Sequence, residues 1–228
     1  MTRHIFITGG TGYLGSRLVP LLTQRGHAMR ALVRPGSESR LPASAEKISG
    51  DALWMDSYTS QVPPADTFVH LVGVPHPSPA KAKQFREIDL VSAQVALKAA
   101  RDAGVRHFVY LSVAQPAPMM KEYIAVRAEC EAAIRASGLA ATFVRPWFVL
   151  GPGHRWAYLL LPFYKVCEWL PTTREGALRL GLVTLPQMLR ALVWAVENPP
   201  NGVQILDVPR IRELRVGLTE NGRESLNH

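Results

Sequence analysis

Cysteine is nearly absent. Cys130 and Cys167 are the two in 228 residues, far apart and outside any CxxC spacing, which excludes a disulfide framework and a zinc ribbon. No HExxH or comparable ligand spacing occurs, so no metal is expected. Long apolar runs are missing as well. Hydrophobic residues make up 47% of the chain, in segments long enough to bury but too short to span a bilayer, and stable membrane insertion is not expected. The net charge of +8 comes without any run of basic residues or basic–aromatic stripe. Its arginines stand singly (Arg3, Arg17, Arg25, Arg34, Arg86, Arg101, Arg145, Arg179), which argues against a nucleic-acid partner. The opening residues MTRHIFITGG pass straight into a strand and a glycine loop and read as mature cytoplasmic sequence rather than as a signal or transit peptide.

What the chain does have is alternation. Residues 3–8 (RHIFIT) are an apolar run ending in glycines, after which Leu14, Leu18, Leu21 and Leu22 recur at helical spacing. A second strand, Ala28 to Val33, stops at Arg34-Pro35-Gly36, where a turn is favoured. A short strand is expected near Lys47–Ser49, a weak helix near Trp54–Ser60 and a strand over Thr67–Val72. Lys81–Ala103 is a helix closed by Gly104. A strand (Arg106–Ser112), a helix (Lys121–Ala136) and a strand (Ala141–Arg145) follow. This rhythm predicts an α/β fold with a doubly wound parallel sheet. Beyond Pro146 it changes: Trp156–Leu170 is strongly apolar, Leu185–Glu197 is helical and Val203–Val208 is a short strand.

The segment Gly9-Gly10-Thr11-Gly12-Tyr13-Leu14-Gly15 holds a GxGxxG motif directly after the first strand and at the start of the first helix. In that context glycines permit a tight turn and a close approach of backbone N–H groups to a pyrophosphate, with the helix N-terminus facing the anion. The chain therefore divides into a dinucleotide-binding Rossmann core (1–146), a small substrate or lid lobe continuous with it (147–210) and a polar tail (211–228). A NAD-specific site places Asp or Glu at the end of the second strand to bind the ribose 2′-hydroxyl. Here that position is Arg34, with Ser37 and Arg40 nearby. An arginine suits a 2′-phosphate, so NADP(H) is expected in preference to NAD(H).

These residues, together with Ala31-Leu32-Val33-Arg34, Gly50-Asp51, Tyr110-Leu111-Ser112 and Val144-Arg145-Pro146 through Gly153, resemble the atypical and extended short-chain dehydrogenase/reductases. The likeness is to the NmrA-like branch and to the nucleotide-binding accessory subunit of respiratory complex I. It covers Thr2 to Gly153 well and the remainder loosely. The resemblance implies that Asp51 and Ala52 lie by the adenine, the Leu71–Val74 turn (Leu71, Val72, Gly73 and Val74) by the adenine ribose, and Pro146, Trp147, Phe148 and Val149 by the nicotinamide. It also implies a monomer or a homodimer.

The family's reductases use a Ser, a Tyr and a Lys four residues after the Tyr. This chain has Ser112, Tyr123 and Arg127. Residues four apart share a helix face, so Tyr123 and Arg127 can serve one site. In the family the lysine holds the ribose hydroxyls and its charge assists proton donation by the phenol. Ser112 would donate to the substrate carbonyl. Arginine is not equivalent to lysine where geometry is tight, and Arg127 has an alternative partner in Glu131 on the same helix. His70, His76 and His154 are further acid–base candidates, more simply structural, while Asp89 and Glu87 read as solvated or capping charges. The Trp156–Leu170 segment reads as core, with a pocket for a hydrophobic substrate or a membrane-surface contact as the other choices. Two functions follow: an oxidoreductase acting on a small carbonyl or alcohol, or a non-catalytic NAD(P)H-binding redox sensor or assembly module.

Overall fold

The computed structural model describes residues 2–152, 169 and 171–214. At its centre is a seven-stranded sheet in the order β3-β2-β1-β4-β5-β6-β9, every neighbouring pair parallel. The strands are β1 (His4–Thr8), β2 (Ala28–Val33), β3 (Glu46–Ser49), β4 (Thr67–His70), β5 (His107–Leu111), β6 (Ala140–Val144) and β9 (Val203–Leu206). Their central members are apolar on both faces because helices cover both. Successive side chains of β1 point opposite ways. Ile5 and Ile7 enter the core beneath α1 (Gly15–Gln24), α6 (Leu185–Glu197) and α7 (Val208–Glu213), while Phe6 enters the core beneath α3 (Val91–Asp102) and α4 (Lys121–Ala136).

Most expected elements stand where the sequence put them, and the differences have identifiable causes. The weak helix at Trp54–Ser60 is two 3-10 turns, Met55–Ser57 and Thr59–Gln61. The long helix begins as α2 (Ala82–Gln84) and runs through a π-helical stretch, Phe85–Leu90, into α3. The wider turn lets both Phe85 and Asp89 face inward. Residues after 146 do more than flank the core. β7 (Phe148–Leu150) pairs with β8 (Leu182–Thr184) in a second small sheet, which periodicity could not reveal because each strand has three residues. α6 follows, started by a Thr184–Gln187 capping box, and β9 becomes the seventh strand of the main sheet. The start of the supposed polar tail is α7, capped by Asp207 and anchored by buried Ile211, with Leu214 packed just beyond it. α5 (Pro171–Arg179) precedes β8. The apolar segment expected at Trp156–Leu170 lies, except for exposed Trp169, outside the described residues, as do His154 and Cys167.

Candidate functional site

The order of strands reverses between β1 and β4, and the carboxyl ends of strands at such a switch point form a crevice. A cleft of about 640 Å³ opens there. Its floor is the glycine loop, and α1 begins at the loop's end with its amino terminus at the cleft. Gly9 has φ +80°, and a Cβ on it would come within 2.8 Å of the Leu71 carbonyl carbon, so the loop can lie this close to the β4 exit only with glycine there. Gly15 is equally constrained, since its Cβ would overlap the Gly9 oxygen and the Gly10 backbone. Arg34 and Arg40 line the wall beyond β2, where no acidic side chain occupies the position that would bind a ribose hydroxyl. Asp51, just beyond the neighbouring strand β3, also lines the cleft, with its Oδ1 accepting from the Leu53 amide at 2.9 Å. A narrow backbone cradle, a helix N-terminus and two guanidiniums at one end suit a phosphorylated dinucleotide.

Beneath the β4 exit lies a buried ion pair. Arg127 Nη2 donates to Asp89 Oδ1 at 2.5 Å, Arg127 Nη1 donates to the Leu111 carbonyl at 2.8 Å and to the Tyr110 hydroxyl at 3.2 Å, and Asp89 Oδ2 accepts from the Val74 amide at 2.9 Å. Burial pushes the Asp89 carboxyl up from its usual range, against the pull of Arg127 and of the Val74 amide. Arg127 also lies 5.2 Å from the Tyr123 ring centroid, and Tyr123 packs on Phe85 at 5.0 Å. Tyr123 and Arg127 are thus brought together, as their spacing predicts. Two expectations fail here. Asp89 is a buried partner rather than a solvated charge, and Arg127 pairs with Asp89 rather than Glu131 because the π-helical stretch turns Asp89 inward. Nor is Arg127 free to hold ribose hydroxyls, since its side chain is sealed under Gly73.

A second network surrounds Ser112. Its hydroxyl donates to Glu131 Oε1 at 2.6 Å, and the same carboxylate accepts from Gln115 Nε2 at 3.1 Å, from Arg145 Nε at 2.8 Å and from Arg145 Nη2. Ser112 and Glu131 are both buried. A serine has one proton to give, so the expected donation to a substrate carbonyl is not open to Ser112 in this arrangement. His70 takes the structural reading. Its ring is fully buried, with Nδ1 2.7 Å from Thr8 Oγ1 and Nε2 3.4 Å from Ser92 Oγ, and burial and the nearby Arg127 hold its pKa down to about 3. It is a neutral core histidine. His76 sits in the loop after β4 with φ 49°.

Residues 9–156 match the model of a family described as NAD(P)H-binding. The chain belongs to that NAD(P)H-binding family. Among curated relatives it is 30% identical over 212 residues to a ceramide reductase of Caulobacter vibrioides, covering 90% of this chain and 65% of that protein. It is 30% identical to a 3-diazoavenalumate denitrifying reductase of a Streptomyces species, covering 87% of this chain and 74% of the relative. The chain thus spans just under two thirds of the first reductase's length. Its fold is similar to that of the Bordetella bronchiseptica enzyme WbmH, solved with NAD+, at a TM-score of 0.68 and 20% identity, covering 91% of this chain and 76% of that one. The resemblance to the atypical short-chain dehydrogenase/reductases holds at the level of this family.

In this NAD(P)H-binding protein the cleft brings together Gly9, Thr11, Gly12, Tyr13, Leu14, Gly15, Arg34, Asp51, Ala52, Leu71, Val72 and Gly73 of the residues expected to touch cofactor. Gly10 lies under the loop instead, where a Cβ would touch Ala31 and Leu41. Ser37 precedes a 3-10 turn, Glu38–Arg40, outside the cleft lining. Pro146 accepts from the Ala114 amide, Trp147 and Val149 pack against the core and Phe148 joins β7, so these four do not line the cleft among the described residues. Tyr123 does not line it either. The sequence missed Leu32, Ile88 and Leu111 as lining residues, and Glu131 as the hub of the Ser112 network. Leu32 and Leu111 had a signal in lying at strand ends. Ile88 had none, since it depends on the π-helical turn.

Proposed function

We propose that the chain is an NADP(H)-preferring oxidoreductase acting on a small carbonyl or alcohol, with a hydrophobic body to its substrate. The observation that carries this is the pair Arg34 and Arg40 on the wall of the glycine-loop cleft, at the end of β2. The loop backbone and the start of α1 would hold the pyrophosphate, and the two arginines the 2′-phosphate. NADP(H) would supply the hydride-transfer chemistry. Tyr123 would exchange the proton, with the buried Arg127 cation behind its ring. Ser112, its proton spent on Glu131, would act as an acceptor for an incoming hydroxyl. Two relatives named as reductases, one for ceramide, support the reaction class. The chain would work as a monomer or homodimer on a small molecule.

Titration with NADPH and separately NADH tests the cofactor preference, and equal affinities would remove it. Tyr123→Phe should abolish turnover of a carbonyl panel while NADPH affinity stays unchanged; unaltered turnover would refute this use of Tyr123. A second reading, a binding module without turnover, is favoured by one observation: the Ser112 proton and the Arg127 charge are both committed to buried carboxylates. It predicts NADPH binding with no reduction of any panel member.

A further inference from the structure

We propose that the cavity at the ends of β5, β6 and β9 is a substrate subsite that takes a carboxylate. The cavity measures about 240 Å³ and is lined, among the described residues, by Ala114, Gln115, Arg145, Arg179, Ile205 and Asp207. It lies at the same carboxyl-terminal edge of the sheet as the cofactor cleft, and one segment of chain joins the two. Leu111 lines the cleft; Ala114 and Gln115, just beyond it, line the cavity. Three residues of extended chain reach about 10 Å, which is the scale of one small molecule.

The wall is held in place from behind. Buried Glu131 fixes two of the lining side chains at once, accepting from Gln115 Nε2 and from Nε and Nη2 of Arg145. Arg179 is steadied by donating from Nε to the Pro116 carbonyl at 3.1 Å. Two guanidiniums and an amide offer mainly donors, and a group that only accepts complements them. Asp207 is the acidic member of the lining, with Oδ1 accepting from the Arg210 amide at 3.0 Å as the cap of α7. Glu131 balances the charge of Arg145. Among the described residues the carboxylate paired with Arg179 is that of Glu175, whose side chain is 94% exposed and 3.4 Å away, a pairing that water screens. The Arg179 charge is available to a bound carboxylate.

The decisive experiment measures binding of 4-oxopentanoate and of its methyl ester to NADP+-saturated protein by calorimetry. The acid should bind about tenfold tighter than the ester, the scale of one charge-assisted hydrogen bond. Arg179→Met should erase that difference with NADP+ affinity unchanged, and Asp207→Asn, which keeps a capping oxygen, should enlarge it. Equal binding of acid and ester by the unmodified protein, or a preference that survives Arg179→Met, would overturn the subsite. The inference rests on the oxidoreductase reading only for what happens to the bound molecule. Acid preference without reduction would keep the subsite and remove the activity, while reduction of acid and ester at equal affinity would do the reverse.

Discussion

The two halves of the sheet's carboxyl edge are built on opposite plans. At β1, β2 and β4 the edge is open, and it is made from backbone: glycines that admit no Cβ, a helix start, and arginines at the rim. At β5 and β6 the edge is made from side chains that satisfy one another, Arg127 with Asp89 and Tyr110, and Glu131 with Ser112, Gln115 and Arg145. The first half leaves its donors for a ligand. The second spends most of them internally and thereby fixes positions. Binding capacity and rigidity have been separated along a single edge.

The largest effect should come from spoiling the open half. In Gly15→Val the new side chain would displace the glycine turn, and measurable NADPH binding by nicotinamide fluorescence should disappear. Next comes the sealed half. Asp89→Asn leaves the Arg127 cation buried without its counter-charge and should cost about 3–5 kcal/mol in urea unfolding, whereas the double change Asp89→Leu with Arg127→Met should regain most of it. A double variant no more stable than the single one would mean that the pair does more than balance charge.

Acid should sharpen the contrast. Burial holds His70 down to about 3 and His107 to about 4, against an ordinary value of 6.5. Both are neutral in the native state, while the unfolded chain takes up their protons as pH falls below about 6.5. Their contribution is therefore complete above that pH and is lost on acidification towards 4, by up to about 1.4 kcal/mol per pH unit for each histidine. Urea midpoints measured from pH 7 to 4.5 should fall accordingly, and His107→Gln, retaining a partner for Thr142, should flatten the slope. The smallest expected change is in the open half again. Arg34→Ala should weaken NADPH about tenfold and leave NADH unaffected.

The open half was legible in the sequence because its logic is local. Gly9 to Gly15 carry their meaning in their spacing and their place between β1 and α1, and Arg34 in its distance from a strand end. The sealed half was not legible, because its pairs join residues far apart in the chain. Asp89 meets Arg127 only after a π-helical turn that no residue pattern announces. Glu131 stood at the right spacing from Arg127 to be read as its partner, yet Arg145 from β6's end claims it. Strands with long apolar runs, such as residues 67–72 and 106–112, were found to within two residues. β7 and β8, three residues each, were below the reach of any periodicity.

The last strand of the main sheet, Val203–Leu206, is supplied some sixty residues after its neighbour β6, Ala140–Val144. During synthesis β6 therefore waits with an unpaired edge, able to template contact with other chains, until residues 203–206 of the 228 have been made. The final strand and the helix Val208–Glu213 then act as a latch. A chain cut before residue 203 would retain the whole glycine loop and most of the cleft, but it would keep that sticky edge, and aggregation rather than loss of nucleotide affinity should be its first symptom.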